Sequence, residues 1–210
     1  MAWLIQVPSV PQYQPQFEFL DKPEGYDHWA LQKAITISSE DMPGAAKIFS
    51  GHKKIHDFFN VETEHAVSRR FKDIIEAFEP GVHQFFPIRL LRKNGEPFEG
   101  EYFLLNIRVA IAALDLDRSE LHWTASGPAP EDRLPHISYS GRIVLNKGLI
   151  EGHHLWRHKW IRRHQGREYG VTGRQIFVSE ELFREAEQHK IKKYWARPAE
   201  EICDGDDAAP

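Results

Sequence analysis

The chain has 210 residues, 41% of them apolar and 12% aromatic, with a net charge of −4 at neutral pH. Thirteen Phe and six Trp exclude a disordered chain, and this length supports a core without disulfide or metal staples. The single cysteine, Cys203, excludes an internal disulfide and a thiolate metal site.

The charge is unevenly placed. Glu200, Glu201, Asp204, Asp206 and Asp207 crowd residues 200–210, and without them the chain carries about +1, which argues against a general polyanion binder. The N-terminus lacks the basic start and apolar length of a signal peptide, and no run approaches the ~18 apolar residues of a membrane span. With one cysteine, a reducing, cytoplasmic setting is expected.

Residues 8–23, with four prolines and three glutamines, read as an extended arm. A strand is expected near Ala34–Ile37, and a turn or short helix at Ser39-Glu40-Asp41-Met42-Pro43. The spacing of Val67, Phe71, Ile74, Ile75 and Phe78 predicts an amphipathic helix over 64–78, stopped by Pro80-Gly81. Strands near 83–92 and 101–109 form an antiparallel pair, with Asn94-Gly95 as a type I′ turn and a bulge at Gly100. Phe85 and Phe86 on the first of these strands are expected core anchors. Residues 124–136, with three prolines, read as a surface loop. Ile143-Val144-Leu145 is a short strand.

Gln175–Val178 reads as a strand leading to Ser179, a natural N-cap for a second amphipathic helix with Glu180 and Glu181 in its first turn. Tyr194-Trp195 either extends that helix or begins a return strand. The expected architecture is one α+β domain over 1–199, with a hairpin-containing antiparallel sheet, two main helices and a disordered acidic tail at 200–210.

The run GHHLWRHKW at 152–160 holds the densest candidate chemistry. On a helix, His154 and His158 would share a face and offer two zinc ligands, with His153, His164 and Glu151 nearby. The glutamate that follows the first histidine in helical metalloproteases is replaced here by Leu155, so the ligand set is incomplete and neither a metal nor a cofactor is expected. A metal-dependent enzyme using 153–164 is one alternative. A nucleic-acid module is another, because Arg157, Lys159, Arg162, Arg163 and Arg167 interleave with Trp156, Trp160 and Tyr169. No binding-fold motif accompanies that basic stretch. No serine lies in a nucleophile-elbow setting, Asp115 and Asp117 read as a strand end, and neither phosphate-cradling glycine motif is present.

Three blocks carry a family resemblance. They are VSRRFKDIIEAFEPGVHQFFPIRLLRKNGEPFEGEYFLLNI at 67–107, IEGHHLWRHKW at 150–160 and IFVSEELFREAEQHKI at 176–191. Together they resemble the bacterial immunity proteins of polymorphic toxin systems known as "immunity protein eleven". The resemblance rests on "EPGVHQFFP", on Leu114-Asp115, on "HLWR" at His154–Arg157 and on "FVS" at Phe177–Ser179. It implies a non-catalytic cytoplasmic protein that binds and neutralises a cognate secreted toxin, with no catalytic residues and no cofactor to carry over. A homodimer is left open.

Within "HLWR", Trp156 is expected as a core anchor, with His154 and Arg157 hydrogen-bonding to pin a turn. The segment IRRHQGREYGV at 161–171 departs from the family pattern in length and basicity. If it is a loop, Arg162, Arg163, His164, Arg167 and Tyr169 are the candidate partner contacts. The 200–210 tail is a second candidate, for docking a basic toxin.

Overall fold

A computed structural model describes residues 1–8, 12–27, 29–125, 133–137, 140–164, 167–191 and 194–203. The fold is mixed α/β and mostly sheet, with three helices, two long ones and one of four residues, so the two main helices expected fit only roughly. In chain order the strands are β1 (Ala2–Gln6), β2 (Phe17–Phe19), β3 (Ala45–Ile48), β4 (Phe58–Val61), β5 (Glu64–Ser68), β6 (Gln84–Leu91), β7 (Tyr102–Asn106), β8 (Ala110–Ile111), β9 (Leu121–Ala125), β10 (Arg133–Ile137), β11 (Val144–Asn146), β12 (Leu155–His164), β13 (Arg167–Ser179) and β14 (Trp195–Ile202). The helices are α1 (Arg69–Phe78), α2 (Lys147–Ile150) and α3 (Glu180–Gln188).

The strands form two six-stranded sheets, β11-β14-β1-β13-β12-β8 and β2-β3-β6-β7-β5-β4, and a separate β9–β10 hairpin. Most pairs are antiparallel; β11–β14, β12–β8 and β3–β6 are parallel. Side chains from both large sheets share one core with both long helices. Ile5, Leu155, Ile176 and Val178 meet Phe58, Val67, Phe103 and Leu105, with Phe71 and Ile75 of α1 and Leu182 and Phe183 of α3. The reverse face of each sheet is covered too, the first around Trp156 and Phe177, the second around Phe59, Phe86 and Leu104. Strands buried on both faces need apolar residues at consecutive positions, as in FLL at 103–105 and IFV at 176–178.

Several sequence expectations are corrected. The helix begins at Arg69, because Glu64–Ser68 pairs with both β4 and β7 as a strand, and Val67 is therefore a strand residue. Ser68 is the N-cap, its Oγ accepting from the Phe71 N–H at 3.3 Å. No strand forms over 34–37. Ala34 takes a left-handed φ of 57°, and Gln84 holds Ile37 through both its backbone groups instead.

The hairpin after β6 is not type I′. Gly95 N–H donates to the Arg92 carbonyl, Arg92 N–H donates to Glu96, and only Gly95 has positive φ, 88°. That is a type I turn closed by a glycine bulge, in which Asn94 instead accepts from the Glu96 N–H. The proline-rich arm contains β2, whose Phe17 and Phe19 are buried against β3. Residues 121–125 and 133–137 form a hairpin instead of a surface loop, and the middle of that segment, 126–132, lies outside the described residues.

Tyr194-Trp195 resolves to a return strand. The first part of the acidic tail belongs to it: Glu200 and Glu201 are in β14, where Glu200 pairs with Arg142 and Glu201 with the N-terminal ammonium. Asp204, Asp206 and Asp207 lie outside the described residues.

Candidate functional site

The GHHLWRHKW run is a tight turn followed by a strand, not a helix. Glu151 and Gly152 both take left-handed φ, of 50° and 78°, which ends α2 and turns the chain into β12. Residues four apart on a strand are separated by roughly 13 Å. His154 and His158 therefore cannot share the metal that a helical face would have offered. Among the described residues no group of three or more His, Cys, Asp or Glu side chains is placed to hold an ion.

What the turn does is tie three distant parts of the chain together. Glu79, at the end of α1 and 6% exposed, accepts three hydrogen bonds. His83 Nε2–H donates to its Oε2 at 2.9 Å, Leu155 N–H to the same oxygen at 2.9 Å, and His153 Nδ1–H to its Oε1 at 3.0 Å. Arg108 N–H donates to His83 Nδ1, which assigns the His83 proton to Nε2. Burial pushes the Glu79 carboxyl up, but the His83 and His153 hydrogen bonds outweigh that and hold it at about 2. Beside this knot, His154 Nδ1 lies 2.8 Å from Ser179 Oγ, which also accepts from the Leu182 N–H as the cap of α3. The ring of Phe78 meets His154 edge-on. The "EPGVHQ", "HLWR" and "FVS" motifs are thus one structural junction.

Trp156 and Phe86 are buried, and Phe85 is half-buried against the shared core. Arg157 differs from expectation. It pins no turn. It lies in β12 with no exposed surface, and all three guanidinium nitrogens are buried without a hydrogen-bond partner. Burial, then the charge of Arg174, pushes its pKa down to about 10, against the pull of Glu64, so it stays charged at neutral pH. Glu64, in β5 of the opposite sheet, is 1% exposed; its Oε1 accepts from Thr63 and its Oε2 has no partner. Burial raises its carboxyl to about 7. His65 donates from Nδ1 to Asn60 Oδ1 at 2.8 Å and is held neutral, at about 3, by burial and then by Arg157 and Arg174. His158, on the other face of β12, is also buried with Nε2 unpartnered, and stacks edge-on with Trp160.

The basic segment 161–171 is not a loop. Lys159–His164 pairs with Arg167–Thr172, residue for residue. Strand β8 reaches β12 only at Arg157 and His158, and β1 reaches β13 only at Ile176–Ser179. The outer half of this hairpin therefore has both edges unpaired among the described residues. Arg162, Arg163, His164, Arg167 and Tyr169 belong to it by backbone; their side chains lie outside what the structure describes.

Glu79, His83, Glu64, His65 and Arg174 were not singled out from sequence. Glu79 and His83, four apart just past a helix end, were the available signal; Leu155 lies 76 residues beyond Glu79, and no local pattern announces that bond.

These features define a mixed α/β scaffold whose recurring polar residues are structural ties. The chain belongs to the immunity protein family (Imm11), whose model matches residues 48–201. The match spans the Glu79 junction, the β12–β13 arm and most of both large sheets. No curated protein matches the chain.

Proposed function

We propose that the chain is a non-catalytic immunity protein that binds and neutralises a cognate secreted bacterial toxin in the cytoplasm, using the β12–β13 arm as a principal contact. Family membership supports the class. The observation that carries the contact is the arm itself: an antiparallel hairpin that leaves the sheet at Lys159 and Thr172 and pairs with nothing else among the described residues. A hairpin with two unpaired edges offers backbone donors and acceptors to a partner strand.

Between Lys159 and Thr172 the arm carries four fixed positive charges, Lys159, Arg162, Arg163 and Arg167, against the single acid Glu168. That balance favours an acidic patch on the toxin and fast, salt-sensitive association.

Co-expression of the chain with the toxin domain encoded beside it tests the reading. Wild type restores growth, and the triple reversal Arg162→Glu/Arg163→Glu/Arg167→Glu slows association by about tenfold or more at low salt. Full protection and unchanged association by the triple variant would remove the arm from the interface. Failure of wild type to protect would remove the immunity reading.

A further inference from the structure

A cleft of about 420 Å³ opens at the root of the arm, lined among others by Asn60, Glu62, His65, Arg174 and Trp195. It lies where the end of β1, the start of β14 and the β4–β5 turn approach one another. The register between β12 and β13 shifts between Arg157 and Lys159, and Arg174 sits in the irregular stretch on β13. Bulges of this kind re-aim side chains beside binding sites. The Arg174 guanidinium lies 4.8 Å from the Trp29 ring and donates from Nε to Gln32 at 3.3 Å. Its other N–H groups have no partner among the described residues. Trp29 and Trp195 are both exposed.

His65, on the cleft wall, is held neutral by burial and by the charges of Arg157 and Arg174. An arginine with no exposed surface and no hydrogen bond is rare, since buried polar groups are nearly always satisfied. Arg174 lines the cleft, and Arg157 is buried outside its lining. Of the nearby acids, Glu62 is already engaged by Lys22 and the Phe19 N–H, and Glu64 is buried. Tryptophan and arginine are also the residues that most often anchor protein interfaces.

We propose that this cleft is a carboxylate-binding site that receives an aspartate or glutamate side chain of the toxin, with Arg174 on its wall as the cation that meets it. The proposal rests on the immunity reading. It adds a specific anchor next to the basic arm, and both elements select an acidic partner. A carboxylate suits the Arg174 guanidinium because it accepts several N–H donors at once.

The test uses the full chain, the cognate toxin domain and two small probes, N-acetyl-glutamate and its neutral isostere N-acetyl-glutamine, followed by tryptophan fluorescence. Arg174 is exposed, so Arg174→Gln should fold normally; unchanged circular dichroism and melting verify this. The acid probe should give a saturable signal that the amide does not, and Arg174→Gln should weaken both the probe and the toxin by about tenfold or more. Glu64→Gln, which removes a buried carboxyl beside His65, should tighten the acid probe. An equal response to acid and amide, or toxin binding unchanged by Arg174→Gln, overturns the proposal while leaving the immunity reading intact. Absence of any wild-type toxin binding would instead strike the immunity reading itself.

Discussion

Replacing Arg157 by methionine should make the protein more stable. The side chain lies in the layer between the two large sheets with no exposed surface, and its three nitrogens have no hydrogen-bond partner. Each unsatisfied buried polar group costs about 1–3 kcal/mol, and an apolar residue of similar volume removes that cost while keeping most of the packing. The opposing loss is the attraction between Arg157 and Glu64. It is small, because the Glu64 carboxyl, raised by burial to about 7, can take up a proton once its neighbour is gone.

Replacing buried ionic groups with apolar ones stabilises proteins by up to ~4 kcal/mol, and about 2 kcal/mol is expected here. For a chain of this size that is a rise in Tm of roughly 4–8 °C. The pH dependence has a definite sign. A carboxyl raised on folding costs stability as pH climbs from its ordinary value through its folded value, so the Arg157→Met gain should be larger at pH 6 than at pH 8. Differential scanning calorimetry at both pH values measures it. A fall in Tm at pH 6 would show that Arg157 is satisfied in solution and would refute the reasoning.

Other outcomes follow from the same geometry. Glu79→Gln should cost about 2–3 kcal/mol at neutral pH, because it weakens a buried acceptor of three hydrogen bonds. Since the Glu79 carboxyl is lowered to about 2, its contribution is present above the ordinary carboxylate range and lost as pH falls towards 2. Wild-type and variant stabilities, followed by urea titration, should therefore converge on acidification; a constant gap would disprove the assignment. Trp156→Ala should cost about 3–5 kcal/mol, as aromatic truncations in cores do, and near-wild-type melting would reopen a functional reading of that residue. Gly95→Ala should cost about 1 kcal/mol or more because of its φ of 88°, whereas Asn94→Ala loses only one exposed hydrogen bond; equal costs, read from thermal melts, would favour the type I′ turn instead.

Where local chemistry decides structure, the sequence could be read directly. Ser179 caps α3, Phe71, Ile74 and Ile75 line one face of α1, and β6 pairs with β7. Reading failed where partners are remote. Glu64–Ser68 has residues that suit a helical face, yet β4 and β7 claim it on both sides. Short runs such as FFNV at 58–61 carry too little periodicity to separate strand from loop. Glu200 and Glu201 looked like a solvated tail, but they pair with Val144 and Leu145 of β11 as part of β14.

The family motifs could be seen in the sequence, whereas their purpose could not. That Glu79, His83, His153 and Leu155 converge depends on pairings between segments more than 70 residues apart. The GHHLWRHKW run suggested a metal only while it was imagined as a helix. As a strand it sends Trp156 to one face and Arg157 to the other, and the unusual residue proves to be the arginine.

The most direct test of the central claim is the affinity of the purified chain for the toxin domain encoded beside it, by isothermal titration at low and physiological salt. The account predicts a saturable complex that weakens with salt and abolishes the toxin's activity. A chain that is folded by circular dichroism and yet shows no binding at either salt would contradict it.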